Sequence, residues 1–278
     1  MTVKKLSAAM LAVLVLAGCE GQFNTLRDKE RAESDAAETE SLNEIMLNLA
    51  EPDQAVEYFR AAVAKEPDRV DMKRSLAQSL VRAKRYSEAA LVYEQLVESG
   101  NASAEDRIEY ADALVRNGAW DTARAQLNAV PPKVETFDRY FLEAIVADHF
   151  KEWKKADSFY DIARGLTPRP AQVYNNWGIS KQTRGDLDSA EKLFKQAIAS
   201  DPQLFPAKNN LVIIRGKRKI YELPVIPTTE TERAILMYNL AQEAIKNGDI
   251  EIAKGLLEAA IDLHPQYFEP AVRLLASL

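Results

Sequence analysis

Alanine recurs along this chain at a nearly constant interval. Ala55, Ala89, Ala123, Ala156 and Ala190 are separated by 34, 34, 33 and 34 residues. Four residues after each stands a large apolar side chain: Phe59, Tyr93, Leu127, Tyr160 and Phe194. Twelve residues before the last four stands a small residue: Ala77, Ala111, Ala144 and Gly178. Ala253 repeats the pattern with Ala241 and Leu257. A fixed period of this length means one supersecondary unit copied along the chain, each copy burying its apolar face on the next. Small residues at both positions let two helices cross closely, and the large residues fill the space between copies. Gly118, Gly185 and Gly248 each lie five residues before an alanine of the series. Glycine there supplies the left-handed cap on which a first helix stops. Tyr86, Trp120, Trp153, Leu187 and Ile250 then open each second helix at one phase.

The pattern resembles the tetratricopeptide repeat, a helix–turn–helix unit of about 34 residues. The clearest copy reads Tyr174-x₂-Trp177-Gly178-x₂-Lys181, then Ala190-x₃-Phe194 and Pro202, with Lys181 where an aromatic residue is expected. Pro67, Pro168 and Pro265 fall at the terminal proline of other copies, whereas Asn101 and Glu135 replace it in the second and third. The resemblance implies an all-α fold, a superhelical solenoid with five units over 36–204. Pro131-Pro132 predicts an early end to the third unit's second helix. The period breaks once. Residues 205–233 read as the first helix of a further unit followed by a proline-containing connector, Glu222 to Thr228, with a bend or hinge expected near 222. Residues 234–278 read as a final repeat plus a capping helix over Phe268 to Ser277.

The N-terminus reads as an export signal. Lys4 and Lys5 precede an apolar run from Ser7 to Leu16, too short to span a bilayer but of signal-peptide length. Leu16-Ala17-Gly18-Cys19 resembles the bacterial lipobox, which implies a cleaved signal over 1–18 and a lipid-modified Cys19. Several acyl chains, each contributing about 0.8 kcal/mol per buried CH₂, would hold the protein durably on a membrane. Glu20, in place of the aspartate that retains such proteins at the inner membrane in some families, points to the outer membrane, facing the periplasm. Residues 19–35 are polar and read as a tether.

Cys19 is the single cysteine, which excludes an intramolecular disulfide and CxxC chemistry. Beyond the signal stand 34 basic and 42 acidic residues. That balance argues against nucleic-acid binding as the main activity, since phosphate neutralisation needs a cationic face. His149 and His264 are far apart and lack partners at ligand spacing, so no metal site, cofactor or catalytic constellation is expected.

The chemistry expected is docking. Within the resembling family, first-helix positions line a groove that holds extended peptides. The sixth position of the last three units is Asn176, Asn210 and Asn239, flanked by Asn175, Gln182, Asn209 and Tyr238. Carboxamides carry donors and an acceptor, so a row of them suits a peptide backbone; the same row could equally serve only to hydrate the groove. Nearer the N-terminus, Arg74, Gln78, Arg82, Asp112 and Arg116 are the candidates for clamping an acidic or C-terminal segment. The basic run Arg215 to Lys219 reads as a solvated helix terminus, with an anionic lipid headgroup as the alternative contact. Lipobox and repeats together resemble the tight-adherence (Tad) pilus-assembly lipoproteins. That resemblance implies protein partners such as a secretin or other pilus or secretion components. Scaffolds for other outer-membrane assembly, for type IV pilus secretins or for peptidoglycan hydrolases share this anatomy.

Overall fold

The computed structural model describes residues 39–278. The expected signal peptide, Cys19 and the tether over 19–35 lie outside the described residues. Every regular element among the described residues is a helix. They are α1 (39–48), α2 (Pro52–Lys65), α3 (Val70–Arg82), α4 (Tyr86–Glu98), α5 (Ala104–Arg116), α6 (Trp120–Asn128) and α7 (Phe137–His149). There follow α8 (Trp153–Gly165), α9 (Ala171–Thr183), α10 (Leu187–Ser200), α11 (Phe205–Lys217), α12 (Glu230–Lys246), α13 (Ile250–Leu263) and α14 (Glu269–Ala276). The chain divides into two compact units after Ala113, inside α5.

In each unit, helices adjacent in sequence pack as antiparallel neighbours, and the periodic residues form their crossings. Ala55 and Ala89 in the first unit, and Ala123, Ala156, Ala190 and Ala253 in the second, are completely buried. Phe59, Tyr93, Tyr160, Phe194 and Leu257 are buried beside them. Gly178 shows why the small position must be small. A Cβ there would lie 2.5 Å from the Phe194 ring, so α9 and α10 could not approach as they do. The second helices open at Tyr86, Trp120, Trp153, Leu187 and Ile250, as the phase predicts. The short α6, with 9 residues against 13 in α8, ends just ahead of the Pro131-Pro132 pair.

The left-handed caps are also present. Gly118, Gly185 and Gly248 have φ of 77°, 82° and 81°. The same position elsewhere is lysine: Lys84, Lys151 and Lys219 sit at φ 58°, 59° and 60°. The turn geometry is therefore kept where glycine is not, at a cost of about 1 kcal/mol per residue.

After α11 no second helix follows. Residues 220–229 run without helix or strand, and α12 packs directly on α11. Gly216 permits this, because a Cβ there would stand 2.6 Å from the Glu243 Cβ. Tyr221, Leu223 and Ile226 pack against Val212, Leu236 and Leu240 and fill the space that the missing helix leaves. Thr229 and Glu232 close a capping box at the start of α12. Lys208, 1% exposed, reaches from α11 to Glu232 with Nζ at 3.0 and 3.1 Å from its two carboxylate oxygens. Tyr221 donates to Asp249 at 2.5 Å and accepts from Asn247 at 2.9 Å. The connector is thus fixed at both ends by polar bonds and along its length by apolar packing. Beyond α13, α14 covers the end of the last repeat through Phe268, Leu274 and Leu275.

Candidate docking site

The first helices of the second unit are α7, α9, α11 and α12, and their exposed faces carry the expected amides. Asn210 of α11 donates to Asn175 of α9 at 3.0 Å, and Asn175 donates to Asn176 at 3.3 Å. Asn239 of α12 donates to Asn209 of α11 at 2.6 Å. The asparagines are thus tied to one another across consecutive first helices, because the repeat brings neighbouring helices to one spacing. Each bond leaves part of the amide unused: Asn210 and Asn239 keep a carbonyl oxygen and one N–H. Asn175 is buried and acts as a bridge, while Asn176, Asn209, Asn210, Asn239 and Gln182 are half-buried. Tyr238 is half-buried, its ring centroid 5.5 Å from that of Phe268 in the C-terminal cluster.

Between α7 and α9 this face deepens into a pocket of about 380 Å³. Trp120 forms one wall, stacked on His149 at 4.1 Å and 9°. Trp153 and Tyr160 add aromatic surface, Ile145 and Ile179 add aliphatic surface, and Asn176 and Thr183 stand on the α9 side. At the lining, Asp148 accepts from the Ser180 hydroxyl at 2.6 Å and from the Tyr160 hydroxyl at 2.8 Å. Burial pushes the Asp148 carboxyl above its ordinary range, against the opposing effect of those two hydrogen bonds. Burial first, and then the neighbouring Asp148, push the Tyr160 hydroxyl far up.

Behind the pocket, Asp157 of α8 receives Trp177 Nε1 at 2.6 Å, Lys181 Nζ at 2.9 Å and Arg184 at 2.6 and 3.0 Å. Burial raises the Asp157 carboxyl, but these donors outweigh it and hold the group below its usual range. This explains Lys181, the one departure in the clearest repeat: it answers Asp157 where an aromatic ring would pack. Sequence reasoning considered His149 as a metal ligand and missed Asp148 beside it. The spacing gives little signal, since Ser180 lies 32 residues after Asp148, short of the 33 or 34 of the repeat.

In the first unit the corresponding face is charged and closed on itself. Arg74 of α3 forms a two-pronged pair with Asp106 of α5, at 2.5 and 2.7 Å. Gln78 donates to both carboxylate oxygens of Glu109, which also accepts from Tyr93 at 2.5 Å. Arg82 donates to the carbonyls of Leu47 and Ala50, closing the end of α1. Asp112 and Arg116, the remaining clamp candidates, both lie on α5, Asp112 in the first unit and Arg116 in the second. Arg74, Gln78 and Arg82 are therefore engaged within the protein. The basic run is similarly occupied: Arg218 pairs with Asp188 and Glu191, Lys219 with Asp249, and Arg215 donates to the Glu222 carbonyl. Among the described residues no group of three or more His, Cys, Asp or Glu is placed to hold a metal ion, and no helix is long and apolar enough to cross a membrane.

Stacked helix pairs with buried alanines at their crossings and a polar first-helix face define a repeat scaffold. Sequence profiles of the tetratricopeptide repeat match residues 47–106, 80–144 and 171–204, and the chain is a tetratricopeptide-repeat protein. Its fold is shared with solved structures of low sequence identity. A tetratricopeptide repeat protein from Parabacteroides merdae is 16% identical, over 81% of this chain and 91% of that one, with a TM-score of 0.54. A chain of the APC/C hetero-tetramer Cut9–Hcn1 is 14% identical with a TM-score of 0.59, over 85% of this chain and 47% of that one. Pseudomonas aeruginosa pilF is 14% identical with a TM-score of 0.51, over 75% of this chain and 97% of its own. Comparison with curated protein sequences finds no match. The repeat is a protein-interaction scaffold, and protein partners follow from membership of that family.

Proposed function

We propose that this protein is a lipid-anchored scaffold of the periplasmic face of the outer membrane, acting as a pilotin-like factor in secretin assembly for a Tad/Flp pilus. Cys19 would carry the anchor, residues 19–35 the tether, and the repeats the docking surface. One observation carries the docking part: the row of asparagines on α9, α11 and α12 keeps amide groups available beside an open pocket. An extended segment laid along that row would exchange backbone hydrogen bonds with fixed partners, so little side-chain ordering opposes binding. The envelope part is supported by Leu16-Ala17-Gly18-Cys19 behind its apolar run. The pilus part is supported by the joint presence of lipobox and repeats.

The test is affinity capture of the lipidated protein from gently solubilised native envelopes after brief crosslinking, with partners identified by mass spectrometry. A secretin or pilus-platform protein as main partner supports the reading. Recovery of peptidoglycan hydrolases or of the general outer-membrane insertion machinery overturns its pilus part and leaves the anchored scaffold. Replacing Asn176, Asn210 and Asn239 together with alanine should weaken the captured complex about tenfold or more. Unchanged affinity would move the docking surface elsewhere.

A further inference from the structure

Among the described residues, several buried or half-buried carboxylates are answered by a cation. Asp106 has Arg74, Asp157 has Lys181 and Arg184, and Glu232 has Lys208. Asp148 is answered only by the neutral hydroxyls of Ser180 and Tyr160. Hydroxyl donors satisfy its lone pairs but leave its charge uncompensated. The cation behind it, Arg184, is already bonded to both oxygens of Asp157. Burial raises the Asp148 carboxyl by more than its two hydroxyl donors and the more distant Arg184 lower it.

The surroundings of Asp148 are those of a cation receptor. The Trp120–His149 stack and Trp153 present ring surface to the pocket that Asp148 lines. Aromatic faces attract positive charge, and a carboxylate supplies the opposite charge in the same space. Ile145 and Ile179 give the aliphatic contact that the stem of a long basic side chain needs. Asn176 belongs both to the pocket lining and to the bonded asparagine row. A segment held by the amides therefore has one side chain within reach of Asp148.

We propose that the pocket between α7 and α9 receives a lysine or arginine side chain of a partner's extended segment, with the Asp148 carboxylate as counter-ion and Trp120 as stacking surface. This rests on the scaffold reading and names the side-chain chemistry that the scaffold selects. The probes are N-acetyl-argininamide, N-acetyl-lysinamide and N-acetyl-citrullinamide, titrated into the full chain in detergent and followed by tryptophan fluorescence. Citrulline keeps the planar head of arginine and removes its charge.

The arginine and lysine probes should bind saturably, and the citrulline probe about tenfold more weakly or worse. Asp148→Asn should reduce arginine binding by a similar factor, and Trp120→Leu should remove most of the fluorescence response. Equal binding of arginine and citrulline, no saturation by either cation, or an Asp148→Asn protein that binds as before overturns the proposal. If Asp148→Asn does not fold, the citrulline comparison on the unaltered protein decides alone. The capture experiment remains separate: a secretin partner without cation binding retires the pocket assignment only, and cation binding with a different partner retires the secretin reading only.

Discussion

The two units solve one problem with different chemistry. Successive first helices must be held together on their exposed faces, and side chains one repeat apart meet there. In the first unit the link is ionic: Arg74 to Asp106, with Gln78 and Tyr93 on Glu109. In the second the half-buried face is linked by neutral amides, Asn210 to Asn175 and Asn239 to Asn209, with the Lys208–Glu232 ion pair joining α11 and α12 from a buried lysine. The composition follows the same line, with 9 basic and 15 acidic residues over 39–113 against 22 and 21 over 114–278. An ion pair consumes both partners and leaves little for a visitor. An amide pair uses one donor and one acceptor and leaves the rest. The difference fits the proposed docking surface: the first unit's face holds its helices, and the second unit's face is the one proposed to bind as well.

The comparison breaks first at Asp106, which is 1% exposed. Arg74→Ala would strand its charge and should cost about 3 kcal/mol in urea unfolding, because removing one partner of a buried pair leaves an uncompensated ion. Arg74→Met combined with Asp106→Leu should recover most of that loss. A loss under about 1 kcal/mol for the single variant would make the pair a surface ornament of low worth. In the second unit the most costly change should be steric rather than electrostatic. Gly178→Ala meets the Phe194 ring and should cost about 2 kcal/mol, with partial rescue by Phe194→Leu.

The amide links should be worth less. Asn239→Ala is expected to cost about 1 kcal/mol, the net value of one neutral hydrogen bond. Should it equal Arg74→Ala, the distinction between holding and binding faces would fail.

Acid titration separates the carboxylates by sign, and both signs occur within the second unit. Asp106 and Asp157 are held below 3.8 when folded, so the unfolded chain binds more protons there and their contribution is lost as pH falls through that window. Asp148 is held above 3.8, so the folded protein binds the extra proton and its contribution is lost as pH rises through the raised value. Asp148→Asn should therefore raise the melting temperature at pH 7 and flatten its dependence above pH 4, while Arg74→Met with Asp106→Leu flattens it below. A melting temperature that falls at pH 7 would show that Asp148 stabilises the fold as a charge.

The smallest expected effect is at the caps. Lys84→Gly and Lys151→Gly should each stabilise by about 0.5 kcal/mol, the left-handed strain relieved less the added freedom of the unfolded chain. A difference between the two would report a role for one lysine side chain.

The backbone was far more legible in the sequence than the face it presents. Alanine spacing reports helix crossings directly, because a crossing admits few residue types; hence the buried alanines, the second-helix starts and the glycine caps could be read off. Lys84 and Lys151 could not, since lysine has no mark that distinguishes a left-handed cap from a solvated helix end. The amides were found by position, but their mutual bonds depend on the offset between neighbouring helices, which a period alone leaves open. Tyr238 was placed by phase, and its contact with the Phe268 ring depends on the capping helix, which the repeat period does not describe. The segment after α11 read as a break. Thr229-x-x-Glu232 carried a capping signature that marked where order resumes, and only the burial of Lys208 revealed what ties the two helices together.

The shortcut from α11 to α12 also constrains how the chain can change. Lys208 is an ammonium enclosed in protein, tolerable only while Glu232 stays beside it, and Gly216 is shaped to the flank of Glu243. A descendant that regained the outer helix would separate these pairs, leaving a stranded charge and a void. A lineage that restored the full repeat would have to change several positions together, with the intermediates less stable than either end. The abbreviated repeat is a ratchet tooth: readily entered when a helix is lost, and hard to back out of once its replacements have settled.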